Sequence, residues 1–216
     1  MKVLVELNSK EECFQIKDCH RSRLINEFPQ HEFIFAESYK SMKPMLGGVE
    51  AAVVWVFPEK NFGLAPNLKS LYTPAAGKNW VAEDSSGQVK TYFSKFHGGM
   101  IAESFMTMLL FNNNNLKPAL DNKLKSLWGR NAFGGRRLLK NQSLLIVGYG
   151  NIGFHCAEAA QSFGMKVSGA CRDMKRNSNC ELLNINILDE YIGKYDHVLN
   201  LLPGDDSTKR FFSEDI

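Results

Sequence analysis

The chain has 216 residues, 44% hydrophobic and 23% charged, an ordinary globular composition that excludes a collagen-like, disordered or disulfide-scaffold protein. Its net charge of +3, from 26 basic and 23 acidic residues without a long basic stripe, argues for no nucleic-acid or membrane partner. Five cysteines without a CxxC pair read as reduced thiols of a cytoplasmic protein, with no metal site in their spacing; Val3-Leu4-Val5, broken by Glu6, is too short for a signal peptide, and no apolar run approaches a membrane span.

Lys2 to Glu6 reads as a buried strand. Ser9 followed by Glu12 has the spacing of a capping box, predicting a helix from there to about Phe28, where Pro29 stops it. A second strand is expected at Glu32 to Ala36, and a short helix from Tyr39 to Leu46 ending at Gly47-Gly48. Ala51 to Phe57 contains Val53-Val54-Trp55-Val56, an unbroken apolar run of the kind buried on both faces of a parallel sheet. Leu68 to Tyr72 is a fourth strand, leading into the turn-rich Pro74-Ala75-Ala76-Gly77. The alternation predicts an α/β layer architecture.

From Gly98 to Trp128 the pattern is helical, with Met100, Ile101, Phe105, Met108 and Leu109 expected on one core or interface face and Asn112 to Asn115 dividing the segment into two helices. Gly134-Gly135-Arg136-Arg137 reads as loop. The α/β pattern then restarts, with strands at Ser143–Val147, Lys166–Ala170, Leu182–Ile185 and Asp196–Leu201 and a helix at Asn151–Phe163. Two domains follow, 1–97 and 98–216.

The junction of the first strand and helix of the second domain carries Gly148-Tyr149-Gly150-Asn151-Ile152-Gly153, a GxGxxG sequence. Alone it is a weak signal, but its place between a buried strand and a helix inside a βαβ unit is the context dinucleotide binding requires. Gly148 serves the tight turn, Gly150 the close approach of backbone to a pyrophosphate, and Gly153 the packing of helix on strand. The N–H groups of Asn151 and Ile152, with the helix dipole, point at the anion. A carboxylate ending the next strand selects NAD, and an arginine accommodates the 2′-phosphate of NADP. Here the strand ends at Cys171, and Arg172 follows at once, with Lys175 and Arg176 nearby. This favours NADP through Arg172; Asp173 reaching the ribose would favour NAD.

In this order the segments resemble the D-isomer-specific 2-hydroxyacid dehydrogenases, of the glyoxylate/hydroxypyruvate reductase kind. The resemblance rests on Pro66 to Leu71, Ala75 to Trp80, Met100-Ile101-Ala102-Glu103, Trp128, Leu144 to Gly153, His197 to Pro203 and Ser207-Thr208. It implies two Rossmann-like domains, a flavodoxin-like substrate domain and an NAD(P)-binding domain. It implies that backbone N–H groups of Ala76 and Gly77 bind a substrate carboxylate, that Trp55 to Phe57 shape the substrate pocket, and that Leu202 and Pro203 line the cofactor cleft. It further implies a homodimer, the 98–128 region packing across a two-fold axis.

The family's catalytic arginine, acid and histidine have no counterpart along these segments. With four of six Rossmann strands recognisable, the expectation is an incomplete cofactor domain in a chain truncated at its C-terminus, Ser213 capping the start of a further helix. The five histidines, His20, His31, His97, His155 and His197, read as surface or packed residues rather than a general acid. Three functions remain open: a reductase of small 2-keto acids such as glyoxylate or hydroxypyruvate, a non-catalytic dinucleotide-binding or corepressor-like relative, and a truncated inactive chain.

Overall fold

A computed structural model describes residues 1–213. The helical turn expected after Ser213 lies outside them. The chain divides into two compact units, Met1–Ser94 and Lys95–Ile216.

The first unit is built on five parallel strands, β1 (Lys2–Glu6), β2 (Glu32–Phe35), β3 (Ala51–Val54), β4 (Ser70–Thr73) and β5 (Lys90–Phe93), in the order β2-β1-β3-β4-β5. This is the flavodoxin-like doubly wound order. Leu4, Val54, Leu71, Met42, Leu46 and Phe57 are fully buried and form its core. Helix α1 (Asp18–Glu27) starts later than the Ser9 spacing predicts. The Ser9 hydroxyl oxygen instead accepts from Glu11 N at 3.2 Å, closing a local turn, and Ile16 N returns to Leu7 O at 2.8 Å. That serine therefore caps a turn rather than the helix. The helix expected at 39–46 is a single turn, α2 (Tyr39–Met42), continued by a 3-10 segment, Lys43–Gly48, with a proline in its first turn. The sequence reading missed β5, whose Tyr92 stacks on Tyr72 of β4 at 4.8 Å between ring centres.

In the second unit α3 (His97–Asn113) and α4 (Leu116–Leu124) are separated by Asn115, in the left-handed region at φ 49°. The parallel sheet that follows contains β6 (Ser143–Val147), β7 (Lys166–Cys171), β8 (Glu181–Asn184) and β9 (His197–Asn200), in the order β8-β7-β6-β9. Counted within the unit this is 3-2-1-4, the first four strands of the dinucleotide-binding order. Residues of β6 alternate between two layers. Leu144 and Ile146 pack with Cys156, Ala157 and Ala160 of α5 (Asn151–Ser162) and with α3. Leu145 and Val147 pack with Ala170, Ile185 and Leu188 on the other face. Burial on both faces is why the strand reads as an unbroken apolar run.

The face of α3 turned to the core differs from the expected one. Ala102, Met106 and Leu109 are buried, flanked by Ile101 and Phe105, while Met100 and Met108 are 61% and 72% exposed. Met100 and Met108 lie two residues, about 200° of helix, from Ala102 and Met106.

Candidate functional site

Strand β6 is the pivot of the second unit's sheet. The chain runs from β6 to β7 and β8 on one side, then crosses to place β9 on the other. The crevice beyond the carboxyl ends of β6 and β9 is the topological switch point, where ligands bind in open α/β sheets. The segments Gly148–Gly153 and Leu201–Pro203 meet there.

Gly148 has φ +89°, and a Cβ on it would stand 2.7 Å from the backbone of Leu201 and Leu202, so both conformation and contact require glycine. The N–H groups of Gly148 and Tyr149 donate to Ala170 O at 3.0 and 3.1 Å, anchoring the turn to the end of β7. A Cβ on Gly153 would meet Ile146 Cγ2 at 3.2 Å and the Tyr149 ring at 3.3 Å, so this glycine sets the approach of helix to strand. Gly150 differs. It has ordinary extended dihedrals, φ −136° and ψ −154°, and nothing stands closer than 3.8 Å to where its Cβ would be. The protein's own packing leaves that space open.

Gly150 is also the N-cap of α5, and no side chain caps that helix. The first intrahelical bond runs from Phe154 N to Gly150 O at 2.9 Å, so the N–H groups of Asn151, Ile152 and Gly153 precede the helix's own acceptors. An open end of this kind, at the positive pole of a helix dipole, is suited to a phosphate group. The Asn151 side chain donates from Nδ2 to Lys95 O at 2.9 Å, which turns it away from capping. Ile152 is half-buried and packs on the core beneath α5. On the other rim, Leu201 N donates to Val147 O at 2.7 Å and Leu202 N to Asn200 Oδ1 at 3.1 Å, fixing the course of the chain into Pro203.

The side chain of Tyr149 takes no part in this surface. Its ring is buried, fitting against Gly169 of β7, where a Cβ would lie 2.5 Å from Tyr149 Cδ2. Its hydroxyl donates to Asn179 Oδ1 at 2.5 Å, and burial pushes that phenol up to about 12. Only the backbone of Tyr149 faces the turn, and its carbonyl accepts from Arg176 Nη1.

At the end of β7, Cys171 is buried and its thiol donates to Asp173 O at 3.3 Å. Asp173 Oδ1 accepts from Lys175 N at 3.0 Å. Arg172 extends to the loop after β9, with Nη2 3.5 Å from Ser207 Oγ. Hydrogen bonds from Ser207 chiefly, and the charge of Arg172 in part, hold the Asp205 carboxyl below the usual carboxylate range.

The candidate substrate residues lie in the first unit. Trp55 follows β3 and is half-buried; its Nε1 donates to Phe14 O at 2.9 Å, and its ring centre stands 5.6 Å from that of Phe14 and 6.3 Å from that of Trp80. The Ala76–Gly77 turn follows β4. It is braced by Ala75 N, which donates to Thr73 Oγ1 at 3.2 Å, and by Ser94 N, which donates to Ala75 O at 3.2 Å. Among the described residues the N–H groups of Ala76 and Gly77 make no hydrogen bond. Spacing alone carried no signal for the Phe14–Trp55–Trp80 cluster.

The five histidines are divided between the two units. His20 is on α1, its Nδ1 accepting from Lys17 N at 3.1 Å, and His31 lies between the rings of Phe28 and Phe33. His97 opens α3 and stacks on Phe96; His155 is on α5, 3.9 Å from Glu158. His197 opens β9, at the end of the sheet away from the crevice; its Nε2 lies 2.6 Å from Gln142 Oε1, and burial lowers its pKa. Among the described residues no three His, Cys, Asp or Glu side chains are grouped to hold a metal ion, and no helix is long and apolar enough to cross a membrane.

Solved structures share this architecture. An acyclic imino acid reductase in complex with NADPH and D-Arg is 19% identical with a TM-score of 0.75, over 96% of this chain and 67% of that one. An NADPH-dependent glyoxylate/hydroxypyruvate reductase from Sinorhizobium meliloti, in complex with NADP and sulfate, is 23% identical with a TM-score of 0.73, over 96% of this chain and 64% of that one. A D-isomer specific 2-hydroxyacid dehydrogenase family protein from Aeromonas salmonicida is 20% identical with a TM-score of 0.73, over 98% and 67%. At these identities the likeness is one of fold, and the chain spans about two thirds of the length of such proteins. No curated protein sequence matches the chain. Residues 106–216 match the family described as D-isomer specific 2-hydroxyacid dehydrogenase, NAD binding domain, and the chain belongs to that family.

Proposed function

We propose that the chain forms the cofactor site and part of the substrate site of an NADP-dependent reductase of small 2-keto acids, of which glyoxylate and hydroxypyruvate are the first candidates. The observation that carries this reading is the uncapped N-terminus of α5 at the switch point, with Gly150 leaving open space above it. Gly148, Gly150, Asn151, Ile152 and Gly153 hold the pyrophosphate, the N–H groups of the last three serving as donors. Tyr149 contributes by its backbone, and Leu202 and Pro203 form the opposite rim. The bound nicotinamide supplies hydride chemistry, which the protein orients. NADP is favoured over NAD because the strand after the cradle ends without a carboxylate, and Asp173 is engaged by Lys175 N.

In the proposed substrate domain, residues 1–97 with the cofactor domain at 98–216, the unbonded N–H groups of Ala76 and Gly77 are matched to a carboxylate. Trp55 presents an indole whose polar edge is already used, so it excludes water and shapes the pocket. Reduction also requires a proton at the keto oxygen and a group to hold the substrate; within the second unit His197 lies at the end of the sheet away from the crevice and His155 lies within α5 beside Glu158. That placement favours a second reading, a dinucleotide-binding relative without turnover. The assay is loss of NADPH absorbance with glyoxylate and hydroxypyruvate, beside direct NADPH binding. Binding with turnover supports the reductase, binding without turnover the second reading, and absence of binding removes both.

The exposed apolar residues of α3, α4 and the segments after them, Met108, Leu124, Trp128 and Leu138, support a homodimer through this region.

A further inference from the structure

Two arginines follow β7, and sequence position favours Arg172, which stands directly after the strand. The structure places them differently. Arg172 reaches across to the β9 loop, where Ser207 Oγ and the Asp205 carboxylate already attend its charge. Arg176 turns back over the glycine-rich turn. Its Nη1 donates to the carbonyl of Tyr149 and stands 3.8 Å from the point a Cβ of Gly150 would occupy. Arg176 thus belongs to the segment after β7 and borders the open space at Gly150.

The loop is held in that course. Asn179, three residues on, accepts from the Tyr149 hydroxyl at 2.5 Å and donates from Nδ2 to Phe154 O at 3.1 Å, while its own carbonyl accepts from Gln161 Nε2 at 2.9 Å. The residues that carry Arg176 are therefore tied to the turn and to α5. One bond to Tyr149 O leaves the other guanidinium N–H groups available, and a planar fork of donors suits a phosphate.

We propose that Arg176, rather than Arg172, is the specificity-determining residue that recognises the 2′-phosphate of NADP. This rests on the dinucleotide reading above. An arginine here is compatible with NADH, because the bond to Tyr149 O satisfies it when no 2′-phosphate is present, and the phosphate adds attraction when it is.

The test is titration calorimetry of the full chain with NADPH, NADH, 2′,5′-ADP and 5′-AMP, for wild type, Arg176→Gln, Arg176→Lys and Arg172→Gln. None of these measurements depends on turnover. Wild type should prefer NADPH to NADH and 2′,5′-ADP to 5′-AMP. Arg176→Gln should lose about 10- to 100-fold in affinity for NADPH and 2′,5′-ADP, the worth of a charged hydrogen bond or two. It should leave NADH and 5′-AMP nearly unchanged, and a merely structural role could not produce that split. Arg176→Lys should recover part of the preference and Arg172→Gln should retain most of it. An equal loss for NADH and NADPH would make Arg176 a pyrophosphate contact and overturn the assignment. So would a preference that disappears in Arg172→Gln and survives in Arg176→Gln. If wild type binds both dinucleotides equally, 2′-phosphate recognition is overturned and the cradle stands; if it binds neither, the dinucleotide reading fails as well.

Discussion

The Tyr149 hydroxyl and the Asn179 side-chain amide meet at 2.5 Å, joining the middle of the glycine-rich turn to the loop that leaves β7. Asn179 N in turn donates to the same hydroxyl oxygen at 3.3 Å, so the phenol serves as both donor and acceptor inside a buried site. Replacing it by Phe leaves the ring packed against Gly169 and removes only the hydroxyl. Tyr149→Phe should cost about 1–3 kcal/mol in denaturant unfolding, because polar groups of Asn179 lose a buried partner. An unchanged midpoint would show that the bond contributes nothing net.

The same phenol predicts an alkaline limb of stability. In the unfolded chain a tyrosine ionises near pH 10, whereas burial holds Tyr149 protonated to about 12. Between those values the folded chain binds more protons than the unfolded one, so stability falls as pH rises. The contribution is complete below pH 10 and is lost through 12, on the order of 1–3 kcal/mol. Unfolding free energies at pH 9, 10, 11 and 12 should show a shallower fall in Tyr149→Phe than in wild type; parallel curves would reject this tyrosine as the source.

Glycines of the second unit should separate by role. Gly148→Ala forces a side chain into positive φ and against the Leu201–Leu202 backbone, and should destabilise by at least about 2–3 kcal/mol. Gly169→Ala collides with the Tyr149 ring and should cost about 1–3 kcal/mol, with part regained when Tyr149 is shortened to Leu. Thermal melts of the single and double variants measure both; a neutral Gly169→Ala would mean that the ring has room to move.

Thiol chemistry follows burial. Cys13 and Cys19 are exposed, whereas Cys156 is buried and its thiol is pushed up to about 11; burial raises Cys171 and Cys180 too. Iodoacetamide at pH 8 should label Cys13 and Cys19 on the folded protein and the other three only after unfolding. Peptide mass spectrometry reads the pattern, and early labelling of Cys156 would contradict the packing of α5 on β6.

If the apolar surface around Trp128, 93% exposed in the single chain, is a dimer interface, light scattering at micromolar concentration should give twice the chain mass. Trp128→Glu together with Leu124→Lys should then give a monomer that remains folded. A monomeric wild type would count against the two-fold assembly.

Much of this was legible in the sequence where one physical demand dominates. Ser143–Val147 was readable as a buried strand leading into the glycine-rich turn, and Gly148 and Gly153 were readable because backbone conformation and helix approach leave glycine no substitute. What escaped depended on tertiary partners. Ser9 has the spacing of a cap but bonds to Glu11, which nothing local distinguishes. Strand β5 is short and carries polar residues, and it is completed by pairing with β4, where Tyr92 stacks on Tyr72. The apolar stripe of α3 included Met100 and Met108 because composition does not reveal which of several apolar residues a neighbour covers. Likewise Arg172 and Arg176 look alike in sequence; only the folding back of the loop brings Arg176 to the turn.

We propose that the open space at Gly150 admits a pyrophosphate, and Gly150→Ala fills that space without disturbing the fold. Because its dihedrals are ordinary and nothing lies within 3.8 Å of the added methyl, the variant should fold with wild-type stability, verified by circular dichroism and a thermal melt. Titration calorimetry with NADPH should then show measurable binding to wild type and a loss of at least about tenfold, some 1.4 kcal/mol, in the variant. Equal NADPH affinity in two equally stable proteins would rule the pyrophosphate out of that space.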